Sequence, residues 1–175
     1  FCSKASPEVG WAVRMAAETG LRLGDLTRLT WGAVGSAGIV WRTRKRSKQV
    51  LIPITPQLRQ LLDSIPKRAT VVLTNTRKLP WTVDGIKTMI GEAKRDAGLD
   101  GLHFHDLRGT AVTRIYLVLP DSGELARIFG WTKDRVEDLL IRYVSGDAVA
   151  LDLLSRMNQK PAAQTGDKPV SGGTS

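Results

Sequence analysis

A histidine and an arginine stand three residues apart in the segment His105-Asp106-Leu107-Arg108. Because residues at i and i+3 share one face of a helix, both side chains should point into the same small volume. A guanidinium holds a phosphate by paired hydrogen bonds, and an imidazole can carry a proton near neutral pH. The pair therefore provides half of a site for phosphoryl transfer.

A second cation is needed, because one arginine does not neutralise the charge of a pentavalent phosphate transition state. The sequence TGLRLGDL at residues 19–26 offers Arg22 for this role. Gly20 can end a helix in a left-handed conformation, so Arg22 would project from a fixed corner. The alternative interpretation is a surface arginine paired with Asp25.

A strongly basic segment, RTRKRSK at residues 42–48, separates two β-branched runs that predict strands at Ile39–Trp41 and Val50–Ile54. We interpret it as a β-hairpin whose cations reach DNA phosphates, with one lysine close enough to donate a proton. Such contacts give affinity and salt sensitivity but not sequence choice. A solvated turn is the alternative. The DNA-binding candidates are Arg42, Arg44, Arg46 and Lys48.

The chain has two tyrosines, Tyr116 and Tyr143. Tyr116 falls within an apolar helical stretch, which favours a core position. Tyr143 falls near the end of a short predicted helix, where position alone favours a half-buried residue. Trp131 stands at a helix boundary, and its indole has one donor and no acceptor. It could therefore bond a phosphate oxygen or cap the core.

Composition bounds the class of protein. A length of 175 residues suits one well-buried domain, and a formal net charge of +9 favours a polyanionic partner such as nucleic acid. One cysteine excludes an internal disulfide framework, and two histidines leave little for a zinc site. The longest apolar runs fall far short of the ~20 residues that a membrane span needs.

Start and stop signals predict a mainly helical domain with three strands, the third at Val71–Leu73. Ser6-Pro7 starts the first helix, which Gly20 ends, and Thr82 caps another that stops at Gly98. The other predicted helices are Leu23–Leu29, Thr55–Leu62, His105–Leu117, Glu124–Phe129, Lys133–Tyr143 and Ala148–Met157.

The segment Asn158–Ser175 is rich in polar and small residues, and we expect a disordered tail. It carries a net charge of +1, so the basic charge belongs to the domain at residues 1–157. The chain opens without an initiator methionine, which indicates a fragment of a longer, intracellular protein.

Taken in order, these segments resemble the catalytic domain of the tyrosine recombinases, the phage integrase family. The matching pieces are TGLRLGDL at 19–26, RKRSKQVLIP at 44–53, HDLRGT at 105–110, FGWT at 129–132 and RYV at 142–144. The resemblance covers nearly all of residues 6–157. It implies an α+β fold, mainly helical, with a small antiparallel three-stranded sheet.

The resemblance also implies a role for each matching residue. Arg22 and Arg108 correspond to the phosphate-clamping arginines, with Asp25 supporting the first of them. His105 corresponds to the acid/base histidine, and Tyr143 to the nucleophile.

Two positions depart from the family's common pattern, and a third has several candidates. Trp131 stands where most members have a second histidine, and tryptophan there can donate a hydrogen bond but cannot exchange a proton. Tyr143 follows it by twelve residues, a longer gap than in many members. Lys45, eight residues before Pro53, stands at the place of the hairpin lysine. Arg44, Arg46 and Lys48 are alternatives for that role.

By resemblance the chain would cleave and rejoin DNA strands through a 3′-phosphotyrosyl link, with no metal or other cofactor. Nearby arginines would favour the phenolate of Tyr143, and His105 is the best-placed candidate to accept its proton. Lys45 is the candidate proton donor to the leaving 5′-oxygen. The alternatives are a type IB topoisomerase, which relaxes DNA without strand exchange, and a basic DNA-binding module without catalysis.

The family closes a clamp on double-stranded DNA with an N-terminal core-binding domain, which this chain lacks. We therefore expect the fragment to bind DNA weakly. The full-length parent is expected to be a homotetramer on DNA, whereas the fragment can be monomeric. Residues 148–157 either dock on a neighbouring subunit or fold back on their own domain. A cytoplasmic, nucleoid-associated protein encoded by a bacterium or phage fits this resemblance.

Overall fold

The computed structural model describes residues 5–44 and 47–143, with the side chains of residues 142 and 143 excepted. Seven helices and one hairpin form this part of the chain. In order they are α1 (Pro7–Thr19), α2 (Leu23–Leu26), β1 (Gly38–Arg42), β2 (Gln49–Pro53), α3 (Pro56–Ser64), α4 (Val83–Asp96), α5 (Leu107–Val118), α6 (Ser122–Phe129) and α7 (Lys133–Tyr143). None of the helices in these ranges is both long and apolar enough to cross a membrane.

The first helix begins and ends where the sequence signals predict. The Ser6 hydroxyl accepts a hydrogen bond from the Val9 amide, and Gly20 ends the helix with a φ of +61°. The second helix stops at Leu26 instead of the predicted Leu29. The Leu29 carbonyl instead accepts a hydrogen bond from the Val72 amide at 2.7 Å, which draws the chain away from helical geometry.

The predicted hairpin is confirmed as an antiparallel pair in which Val40 lies opposite Leu51. Side chains alternate between the core and solvent, as a strand period of two requires. Ile39, Val50 and Ile52 are buried, whereas Val40 and Leu51 are exposed. The buried face attaches the hairpin to the domain.

The sheet has two strands in the described residues, so the third strand predicted at Val71–Leu73 is wrong. Val71 forms one isolated antiparallel bridge, to Thr30. The ladder cannot extend because the chain after Thr30 enters a 3₁₀ turn at Trp31–Ala33. Val72 and Leu73 are nevertheless fully buried, which explains their apolar character.

The segment around His105 differs from the continuous helix predicted from His105 to Leu117. Residues Phe104–Asp106 form a 3₁₀ turn, and α5 begins only at Leu107. The Asp106 carboxylate accepts a hydrogen bond from the His103 amide at 3.2 Å and so closes the turn. His105 and Arg108 remain neighbours across this junction.

The helices predicted over residues 55–62, 82–97 and 124–129 are confirmed as α3, α4 and α6, with ends differing by a few residues. The helix Lys133–Tyr143 has the predicted bounds. The helix predicted at Ala148–Met157 and the tail at Asn158–Ser175 lie outside the described residues.

Two hydrophobic clusters fill the interior. The first is formed by α1–α4 with the hairpin and includes Met15, Leu26 and Ile52. The second is formed by α5–α7 and is centred on Val112 and Leu125. The candidate site residues lie on elements that belong to both clusters, so the site depends on how the two clusters meet.

Candidate functional site: an arginine-lined cleft

The corner between α1 and α2 is the first point where the two clusters meet. A Cβ atom added to Gly20 would lie 2.7 Å from the Phe129 ring and 3.2 Å from the Ala111 side chain. Only glycine therefore allows α5 and α6 to approach this closely, and its positive φ also suits glycine. Arg22 follows two residues later as the half-buried N-terminal cap of α2.

Arg108 lies at the floor of the cleft, in the first turn of α5, with 5% of its surface exposed. Its Nη1 donates a hydrogen bond to the carbonyl oxygen of Gly20. Burial, followed by the charges of Arg22 and Arg135, lowers the pKa of Arg108 to about 9 against the opposing charge of Asp25. The group therefore remains a cation at neutral pH.

A cleft of about 200 Å³ opens beside this guanidinium. Its lining includes His105, Arg108 and Trp131, which the sequence predicts as site residues. The other lining residues are Asp106, Gly109, Arg135, Asp138 and Leu139. Arg22 lines an adjoining small cavity together with Arg108. The structure thus brings four of the predicted residues into one region.

His105 lies at the exposed rim of the cleft. Loss of hydration is the main cause that lowers its pKa below 6.5, and the positive charges of Arg108, Arg135 and Arg22 lower it further. The Asp106 charge opposes them. A neutral imidazole at neutral pH can accept a proton, which is the role that the resemblance implies.

Trp131 forms one wall of the cleft and is 5% exposed. Its ring packs against Phe129 with 5.2 Å between centroids, and the Arg108 Cζ lies 4.6 Å from its centroid. The indole nitrogen is buried, and no acceptor for it lies in the described part of the chain. Trp131 therefore caps the second cluster and still has a hydrogen bond to donate.

Asp25 is buried and fixes the base of the hairpin. Its Oδ1 accepts a hydrogen bond from the Arg44 amide at 2.9 Å. In the described part of the chain, Asp25 and Arg22 do not form an ion pair. Both residues nevertheless line a second cleft, together with Arg44. Asp25 thus links the arginine corner to the basic segment.

The hairpin also packs on the loop before Trp131. A Cβ added to Gly130 would lie 2.8 Å from the Val50 side chain and 3.5 Å from the Lys48 Cβ, and its φ is +62°. Arg42 and Lys48 are exposed on the hairpin and do not line the main cleft. Lys45 and Arg46 lie outside the described residues.

The two tyrosines differ in position. Tyr116 is half-buried and packs against the second cluster, as its apolar surroundings predict. Tyr143 is the last residue of α7, and its side chain lies outside the described part of the structure. Its role as nucleophile stays a prediction, as do the roles of the other site residues.

Sequence reasoning missed Arg135, which stands in the first turns of α7 and lines the cleft. Its Cζ lies 5.7 Å from the centroid of Trp131. The only signal was a basic residue four positions after Trp131. It matches no position of the resemblance.

The model of the phage integrase family matches residues 4–144. The chain therefore belongs to this family, as its motifs predict. No curated protein matches the chain.

Solved structures with the same fold include lambda integrase (residues 75–356) bound to DNA, with 19% identity and a TM-score of 0.60 over 73% of this chain. This chain spans 50% of that protein. The XerA recombinase is 18% identical, with a TM-score of 0.59 over 87% of this chain and 64% of its own. The Tn1549 transposon integrase in complex with transposon right-end DNA is 17% identical, with a TM-score of 0.58 over 85% and 58%.

Proposed function

We propose that this chain is the catalytic domain of a site-specific DNA recombinase that cleaves and rejoins strands through a 3′-phosphotyrosyl intermediate. The observation that carries the proposal is the convergence of His105, Arg108 and Trp131 on one cleft, with Arg22 beside it. Two cations, a proton acceptor and a neutral N–H donor suit a phosphodiester whose negative charge grows during attack.

In the first step the phenolic oxygen of Tyr143 attacks phosphorus, and the bond from phosphorus to the 5′-oxygen breaks. The phenol proton passes to the neutral imidazole of His105, and the leaving oxygen takes a proton from Lys45. The arginines hold the phosphate oxygens throughout. Position 143 is four residues after Leu139, which lines the cleft, so the register of α7 supports Tyr143 in this role.

The phosphodiester energy is kept in the link to tyrosine, so a 5′-hydroxyl of a second strand can reverse the step without ATP. We infer that double-stranded DNA is the substrate and that the parent protein works as a homotetramer on it. Among structures with this fold are a lambda integrase dimer on a core site and a tetramer on a Holliday junction. A net charge of +9 supports the DNA partner and a cytoplasmic, nucleoid-associated site of action.

The test is covalent capture of DNA. Nicked duplexes of randomised sequence are mixed with the chain, denatured, and the protein-linked strands are sequenced, which also identifies the preferred site. We expect Tyr143→Phe to abolish the adduct while DNA binding stays nearly unchanged. Tyr116→Phe is the matched control and should retain the adduct.

An adduct that survives in Tyr143→Phe and disappears in Tyr116→Phe would overturn the nucleophile assignment. Binding without any adduct would favour a non-catalytic DNA-binding module. Relaxation of plasmids by the parent protein without strand exchange would favour a topoisomerase.

A further inference from the structure

The cleft and the small cavity beside it are lined by more positive charges than one phosphate needs. Arg22 and Arg108 already supply two cations beside His105. Arg135 adds a third from a different element, α7. A DNA phosphate carries one negative charge, so a third arginine on the same group gains little.

Arg135 differs from Arg108 in its depth. Arg108 is buried at the floor and donates one of its N–H groups to Gly20. Arg135 is exposed at the mouth of the same cleft. A strand whose phosphate reaches the floor must pass the mouth, where the next phosphate along the backbone meets Arg135.

The guanidinium of Arg135 also contacts the aromatic wall of the cleft. Its Cζ lies 5.7 Å from the centroid of Trp131, the ring whose centroid is 4.6 Å from the Arg108 Cζ. Both cations thus contact the same buried indole, which places them on neighbouring parts of the cleft wall.

No carboxylate of the described residues forms an ion pair with Arg135. Asp138 lines the same cleft but lies beyond ion-pair distance, whereas Lys133 on the same helix pairs with Glu137 at 3.6 Å. Arg135 also lowers the pKa of both His105 and Arg108, so its charge acts inside the cleft. Within the described residues Arg135 is therefore a cation at the cleft without an ion-pair partner.

We propose that Arg135 binds the DNA phosphate adjacent to the one held by Arg22 and Arg108, and so sets the strand's register in the cleft. This inference rests on the proposed function. Arg135 would thus be a DNA-contact residue outside the set that the sequence motifs predict. Its loss should weaken productive binding more than it slows the chemical step.

The test combines a substitution that removes the charge of residue 135 with DNA in which one phosphate is neutral. After the cleavage site is identified by covalent capture, duplexes are prepared with a neutral methylphosphonate at the adjacent phosphate or at a distant one. We expect Arg135→Gln to weaken binding of ordinary DNA about tenfold, close to one lost charge-assisted contact. On the duplex neutralised at the adjacent phosphate, wild type and Arg135→Gln should bind equally.

Lys133→Gln is the matched control, because it removes a cation from the same turn of the same helix. Its effect should be small and independent of where the methylphosphonate stands. Arg135→Lys should retain part of the affinity, since the charge is kept but the fork geometry is lost.

The inference is overturned if Arg135→Gln binds ordinary DNA as well as wild type, or if its loss persists on the duplex neutralised at the adjacent phosphate. In both cases wild type would still form the covalent adduct. Failure of the wild-type chain to form an adduct on any DNA would instead overturn the proposed function.

Discussion

Arg108 donates a hydrogen bond to the carbonyl oxygen of Gly20, a residue 88 positions earlier in the chain. The bond joins the helix that carries one arginine to the corner that presents the other. Because the guanidinium is buried and fork-shaped, it can hold this carbonyl and still offer N–H groups to a phosphate. The bond therefore fixes Arg108 to the corner that carries Arg22, the other arginine proposed to hold the phosphate.

Replacing Arg108 with lysine should separate charge from geometry. The ammonium keeps the charge but cannot hold both the Gly20 carbonyl and a phosphate in a fixed fork. We expect adduct formation to slow by about 10²–10³, as for loss of a preorganised transition-state donor. Single-turnover capture at saturating protein measures the rate. Arg127→Lys, on the exposed surface of α6, is the control, and equal rates in both variants would contradict this reading.

Gly20→Ala should destabilise the domain because the added Cβ meets the Phe129 ring at 2.7 Å in a left-handed backbone. Strain and overpacking together should lower the free energy of unfolding by about 2–4 kcal/mol. Urea unfolding gives the value. Gly98 offers a matched control, because its φ is +66° and an added Cβ meets nothing within 4 Å. Gly98→Ala should cost only about 1–2 kcal/mol, and equal losses would argue against crowding at Gly20.

Stability should fall on acidification in a way that depends on His105. Its pKa in the folded protein lies below 6.5, chiefly through lost hydration and then through Arg108. As the pH falls below 6.5 the unfolded chain takes up the proton first, so unfolding becomes easier down to the folded-state pKa. Above 6.5 His105 contributes no pH dependence.

His105→Gln should remove this part of the pH profile, which comparison of urea unfolding at several pH values can measure. Arg135→Gln should raise the pKa of His105 toward 6.5, because one of the charges that lower it is gone. Proton NMR titration of the imidazole reports the shift directly. An unchanged pKa in Arg135→Gln would show that this guanidinium does not act on the cleft.

Asp25→Ala should loosen the base of the hairpin, because the Arg44 amide loses the acceptor that now lies 2.9 Å away. Loss of a buried acceptor costs about 1–3 kcal/mol. We expect faster trypsin cleavage in the basic segment at residues 42–48, followed by mass spectrometry. Asp25→Asn keeps an oxygen acceptor and should restore most of the protection. Equal cleavage of both variants would show that charge, not the hydrogen bond, holds the hairpin.

Local signals in the sequence were enough to place most elements. Ser6-Pro7 and Gly20 bound α1 because capping chemistry acts within a few residues. The strand predicted at Val71–Leu73 failed because β-branched residues report burial as well as pairing. Whether that segment pairs depends on Thr30, which lies far away in sequence and turns into a 3₁₀ helix.

The candidate site could likewise be predicted from the sequence only in part. His105, Arg108 and Trp131 carry motif spacing that predicts a shared cleft, and the fold brings them together. Arg135 has no such spacing, because its place depends on how α7 packs against α5 and α6. The role of the Gly20 carbonyl could not be predicted from residue types either, because every residue has a backbone carbonyl.

The two hydrophobic clusters divide the proposed phosphate clamp between two parts of the fold. Arg22 lies at the corner after α1, a helix of the first cluster, whereas Arg108 lies on α5 and Trp131 packs in the second cluster. If the helices of the second cluster open while the first stays folded, the clamp comes apart before the chain loses its shape. If the proposed activity holds, a partly unfolded copy would then bind DNA without cleaving it.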